Sequence, residues 1–108
     1  MEPQPAVVAF EGDLDIFRNG EIYAGLQRVA AAECAIVDLK GVRYFGACLL
    51  GAIAGLANER DAAGLRATIV VVPDERLRRL FEITGDDMMV EICTTIDEAL
   101  GLCAPSRT

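Results

Sequence analysis

Apolar residues fall along this chain in short blocks that switch between two periods. Val7–Phe10 is a short apolar run closed by the turn signal Glu11-Gly12, which predicts a buried strand. Ile22, Leu26, Val29 and Ala30 then recur at helical spacing, with Asn19 placed to cap that helix. Ala35–Leu39 predicts a second strand closed by Lys40-Gly41, and Val42–Gly46 reads as a loop. Ala47 to Ala63 predicts a second helix, with Gly64 where a C′ glycine belongs. Ala67–Val72 is continuous and β-branched, as strands buried on both faces are. Pro73-Asp74 breaks it and starts a third helix, with Leu77, Leu80, Phe81 and Thr84 on one face and Gly85 at its end. Met88–Ile92 reads as a short strand. Thr95-x-x-Glu98 has capping-box spacing and opens a last helix ending near Cys103.

Strand and helix alternate throughout. That order predicts an α/β fold: one mainly parallel sheet of about four strands with about four helices packed against it. No internal repeat or linker divides the chain, so residues 1–108 read as a single domain, with 1–5 and 104–108 expected as flexible tails. The second helix is rich in small residues (Gly51, Ala52, Ala54, Gly55, Ala57), which let a helix lie close to a sheet or to another chain. Its two glycines cost helix propensity of about 1 kcal/mol each relative to Ala.

Composition narrows the function classes. Of 108 residues, 53% are apolar, enough for one core. No apolar run approaches the roughly 18 residues of a membrane span, and Met1–Pro5 carries no signal-type pattern, so a cytoplasmic protein is expected. The net charge is −7, and Arg76, Arg78 and Arg79, the one basic knot, sit among Asp74, Glu75 and Glu82. They read as a solvated helix face, and no nucleic-acid partner is expected. There is no histidine, and the four cysteines, Cys34, Cys48, Cys93 and Cys103, show no C-x-x-C spacing. No metal site and no cofactor is expected, and the thiols read as reduced. Asp13 and Asp15 have neither a histidine nor an activated nucleophile to work with, so they read as turn chemistry rather than as an acid–base pair, and Asp15 also as an interface residue. The chain is not expected to be an enzyme.

Three stretches resemble the STAS family, the class of the anti-sigma-factor antagonists. Phe10-Glu11-Gly12-Asp13-Leu14-Asp15 is similar to the family's G-x-L-D turn before helix one. Ala35-Ile36-Val37-Asp38-Leu39-Lys40-Gly41-Val42 looks like its vvDLsgV strand, where the acidic residue is structural and pairs with backbone at the strand end. Arg43–Gly51 stands where the family has fiDSSGLg, and the Thr95–Leu100 segment (TIDEAL) resembles its last-helix opening. The resemblance covers nearly the whole chain. It implies a small sheet with helices mainly on one side, and a regulatory role through protein binding in the bacterial cytoplasm. Many members bind a serine kinase that holds a sigma factor, and phosphorylation at the start of helix two dissolves the complex. Others are subunits of transporters or stress complexes, which leaves an adaptor role open.

The chain departs from the family where that switch sits. Gly46-Ala47-Cys48-Leu49-Leu50-Gly51 replaces D-S-S-G-L-G, so Cys48 holds the place of the phosphorylated serine. Insensitivity to the usual phosphorylation follows, because a thiol cannot take up the modification and its added charge. Cys48 at a helix start also invites a thiol redox reading, against which stands a small, half-buried apolar residue. The partner surface implied by the resemblance comprises Asp15, Tyr44, Phe45, Gly46, Ala47, Cys48 and Leu49. Tyr44 and Phe45 are favoured as exposed anchors, since aromatic residues dominate interface hot spots. One strand precedes Asp13 where the family usually has two, so an open sheet edge is expected, available to a partner or a second copy. That edge and the small-residue helix face permit a homodimer without requiring one.

Overall fold

The computed structural model describes residues 5–85 and 89–103. Its first two strands, β1 (Pro5–Leu14) and β2 (Cys34–Phe45), are much longer than the apolar blocks that predict them. They pair in parallel from Pro5↔Cys34 to Leu14↔Phe45. The chain crosses Glu11-Gly12 and Lys40-Gly41 through irregularities in the ladder, with register shifts between Ala9 and Glu11 and between Gly12 and Asp13. Val42–Phe45, expected as a loop, is therefore strand. The same glycine signal that marks a turn also marks a bulge. Gly12 takes a φ of +78°, open to glycine alone at no steric cost.

Two short strands complete the sheet: β3 (Ile69–Val71) and β4 (Glu91–Cys93). The order is β1-β2-β3-β4, with every neighbour parallel. Each crossover carries a helix: α1 (Asn19–Gln27), α2 (Ala47–Ala62) and α3 (Glu75–Thr84), with α4 (Ile96–Cys103) after the last strand. Of the strand predicted over Met88–Ile92, Met88 lies outside the described residues, as do the chain ends 1–4 and 104–108, whereas Pro5, assigned to a flexible tail, is the first residue of β1.

Strand alternation sorts side chains to two faces. Val8, Phe10, Val37, Leu39, Val70 and Val72 face α1, α2 and α3 in the main core. Cys34, Ile36, Ile69, Val71 and Cys93 face the other way, under Ala99 and Cys103 of α4. β2 and β3 are covered on both faces, which is why they read as unbroken apolar runs. β1 is an edge strand, as the sequence implied, and its Val7 is half-exposed.

Local signals behave as expected at several ends. Asp74 caps α3, its carboxylate accepting from Arg76 N at 2.8 Å, and Gly85 closes it in the left-handed region. Thr95 Oγ1 accepts from Glu98 N at 3.1 Å at the start of α4. Asp38 is buried and accepts from Lys40 N at 2.9 Å, with the Lys40 ammonium 3.8 Å from its other oxygen. Asn19, expected to cap the first helix, is instead its first residue, because a 3-10 turn at Ile16–Arg18 precedes it and takes its cap from Asp15. Val29 and Ala30 lie beyond the end of α1, although Val29 is still buried.

Two tertiary features were not read from the sequence. Arg60, inside α2, is 1% exposed and donates to the carbonyls of Val29, Ala30, Ala32, Glu33 and Arg66 at 2.6–3.3 Å. It ties the connection before β2 to the one before β3, and burial pushes its guanidinium pKa down. The cysteines are not all reduced thiols: Cys34 and Cys103 form a disulfide with Cα atoms 5.8 Å apart, while Cys48 and Cys93 are free. A separation of 69 residues hides that pairing from any spacing rule, and only the docking of α4 against the start of β2 creates it.

Candidate protein-docking site

The parallel sheet brings the C-terminal ends of β1 and β2 together. Leu14 pairs with Phe45, and Gly46 N donates to Leu14 O at 3.1 Å. From this point one chain segment enters the 3-10 turn and the other enters α2, so the two starts leave the same sheet edge side by side.

The 3-10 turn is held firmly. Asp15 Oδ1 accepts from Phe17 N at 3.0 Å. Arg18 donates to the carbonyls of Glu11 at 2.6 Å and Asp13 at 3.1 Å, and its guanidinium also pairs with Glu21. That hydrogen bond holds the Glu21 carboxyl below the usual carboxylate range and raises the pKa of Arg18. On this pinned turn Ile16 is 70% exposed and Phe17 is 93% exposed. Neither residue was singled out from the sequence. The available signal was that Phe17 falls out of phase with the helical series Ile22, Leu26 and Val29.

At the start of α2 the seven residues of the expected surface divide. Phe45 and Leu49 are in the core, and Phe45 packs edge-on to Phe81. The extension of β2 through Val42–Phe45 decides this, since alternation turns Phe45 inward and leaves Tyr44 outward. Tyr44 is 55% exposed, and a Cβ built at Gly46 would lie 3.8 Å from its hydroxyl, so the phenol reaches over the helix start. Ala47 is exposed, while Asp15, Gly46 and Cys48 are half-buried. An ion pair between Arg43 and Asp13, 3.5 Å, crosses the two strands beside them. Asp15, Tyr44, Gly46, Ala47 and Cys48 thus share one edge with Ile16 and Phe17.

The sequence profile of the STAS domain matches residues 2–99. The chain belongs to the STAS domain family. Solved structures share the fold of this STAS domain. The unphosphorylated form of the anti-sigma factor antagonist SpoIIAA is 20% identical, with a TM-score of 0.70, covering 94% of this chain and 91% of that one. An anti-sigma factor antagonist from Mycobacterium paratuberculosis is 22% identical, with a TM-score of 0.72 and coverage of 92% and 85%. A sulfate transporter family protein from Wolinella succinogenes is 15% identical, with a TM-score of 0.74 and coverage of 95% and 88%. A search of curated proteins finds no match.

Among the described residues of this STAS domain, no group of three or more His, Cys, Asp or Glu is arranged to hold a metal, and no helix is long and apolar enough to cross a membrane. Arg76, Arg78 and Arg79 lie along α3, where they line a shallow groove with Glu75 and Glu82. Arg76 turns back to Asp74 at 3.3 Å.

Proposed function

We propose that this STAS domain is a non-catalytic docking module of the anti-sigma-factor-antagonist type, working in the bacterial cytoplasm on a kinase-type anti-sigma factor. Its contact surface is Tyr44, Gly46, Ala47 and Cys48, with Asp15, Ile16 and Phe17 as the second half. Phe45 and Leu49 shape that surface from beneath. The observation that carries this reading is the exposure of Ile16, Phe17 and Tyr44 at one sheet edge on a turn that Asp15 and Arg18 hold in place. Clustered apolar groups left in water on a rigid frame suit a partner that covers them.

Cys48 stands at the second residue of α2, where the family carries its phosphorylated serine, so the contact lacks that off-switch. Tagged wild type, Phe17→Ala and Cys48→Asp, used to capture partners from source cells with mass spectrometry of what is held, test the reading. Retention of a kinase-fold regulator by wild type alone supports it. Retention of the same proteins by all three forms overturns it. Phosphate on residues 43–51 after incubation with that kinase and ATP would end the claim that the switch is missing.

A second reading is an adaptor subunit of a transporter or stress complex. The fold likeness to a sulfate transporter family protein favours it, together with cysteine at the switch position. Transporter subunits among the captured proteins would select it. A homodimer through the exposed Gly51 and Gly55 of α2, or through the β1 edge, would appear as a doubled mass in sedimentation equilibrium. A redox role for Cys48 predicts fast alkylation of that thiol at neutral pH.

A further inference from the structure

Three of the four cysteines meet in one apolar cluster on the sheet face opposite α1, α2 and α3. Cys34, Cys93 and Cys103 pack there with Ile36, Ile69, Val71 and Ala99. Cys34 opens β2, Cys103 ends α4, and the disulfide joins them. Among the described residues α4 buries a narrow face. Its buried residues are Ala99 and Cys103 itself, Ile96 is partly buried, and Leu100 and Leu102 are exposed. Arg66 adds a polar tie, its guanidinium donating to the carbonyls of Cys103 at 2.7 Å and Leu102 at 2.9 Å. A helix of this length does not persist without docking.

Both cysteines of the disulfide are buried, Cys34 at 1% and Cys103 at 4% exposure, so a reductant reaches the bond only when α4 opens locally. Cys34 lines a shallow groove of about 170 Å³ with Arg66, Glu91 and Leu102 on its walls, and Cys103 does not. Cys93 is the third thiol of the cluster, and burial pushes its pKa up, which keeps it protonated and out of exchange with the disulfide.

We propose that Cys34–Cys103 is a redox latch on α4, opened by a dithiol reductant that enters along this groove. A thiolate of the reductant attacks Cys34 Sγ, forming a mixed disulfide and breaking the protein's S–S bond. Cys103 leaves as a thiolate, and Arg66 brings its positive charge to the residue that departs, which speeds exchange. The reductant's second thiolate then attacks its own sulfur in the mixed disulfide and releases Cys34. The two protons lost by the reductant are taken up by Cys34 and Cys103. The protein gains two thiols, and the dithiol becomes a disulfide. With the bond gone, α4 is held among the described residues by the packing of Ile96, Ala99 and Cys103 and by the Arg66 bonds, and its opening uncovers Ile36, Ile69 and Val71.

The test uses the full chain, purified without reductant and then treated with dithiothreitol, with reduced thioredoxin as the protein dithiol. Iodoacetamide labelling in native buffer should modify Cys48 before treatment, and Cys34 and Cys103 only afterwards. Amide hydrogen exchange over residues 96–103 should speed by at least tenfold on reduction, while the central part of β2 stays protected. A Cys34→Ala/Cys103→Ala variant should exchange like the reduced protein without any reductant. Labelling of Cys34 and Cys103 before reduction would overturn the latch. So would exchange over 96–103 that reduction leaves unchanged, which would make the bond a passive staple.

Discussion

The rings of Phe45 and Phe81 meet edge to face, with centroids 5.5 Å apart and planes at 65°. Phe45 ends β2 and Phe81 belongs to α3, so this contact clamps the start of α2 to a helix from the far side of the main core. Phe45→Ala should destabilise the domain by about 3–5 kcal/mol, the range for a buried aromatic truncated to Ala. Phe17→Ala, on the exposed turn, should stay within about 0.5 kcal/mol of wild type. Urea unfolding of the two variants separates the residue that supports the proposed docking edge from the one exposed on it.

Arg60 has charge and burial together, compensated by five backbone carbonyls rather than by a carboxylate. Arg60→Ala leaves those carbonyls without their shared donor and opens a cavity beneath the turn at Val29–Ala32. A loss of at least about 3 kcal/mol is expected, since bonds to charged donors are worth about 1.5–3 kcal/mol each and are not additive. Arg60→Lys should recover only part of it, because one ammonium cannot span carbonyls on two separate connections. Thermal melts of the pair check this ranking.

Gly25 lets α1 sit against β1. A Cβ there would lie 2.7 Å from Phe10 Cζ and 3.1 Å from Val8 Cγ2. Gly25→Ala should therefore destabilise by about 1–3 kcal/mol, despite the better helix propensity of Ala. Adding Phe10→Leu should return part of the loss by removing the ring that collides. A double-mutant cycle measured by denaturant unfolding would show the coupling.

Acid should weaken the domain through Glu21 and Asp74. Both carboxyls are held below their ordinary values, chiefly by side-chain hydrogen bonds from Arg18 and Arg76. A lowered folded-state pKa means that the unfolded chain binds the proton first as pH falls. Their contribution is complete above the unfolded value of about 4 and disappears as pH drops through the folded one. In melts from pH 6 to pH 3, Glu21→Gln/Asp74→Asn should show a shallower fall in Tm below about pH 4 than wild type. Glu21 is exposed and Asp74 is only half-buried, so added salt should shrink the difference.

Features set by neighbours along the chain were legible in the sequence. The β-α alternation, the helix start at Pro73-Asp74, the Gly85 stop and the Thr95–Glu98 box each depend on residues within one or two turns of each other, so spacing alone reveals them. The proposed docking edge was only half legible. The stretch around Cys48 marks the junction of β2 and α2, but whether Tyr44 or Phe45 faces water depends on β2 running on past Lys40-Gly41, and that depends on its pairing with β1. The same glycines read equally well as turns until a partner strand continues the ladder. Arg60 sits between Glu59 and Asp61 and looks like a solvated helix residue. Carbonyls about thirty positions away bury it. Phe17 is exposed because Arg18 and Asp15 fix the turn beneath it, and Cys34 meets Cys103 only when α4 docks beside the start of β2. These contacts join residues far apart in the chain, and their energies exist only once the sheet has brought them together.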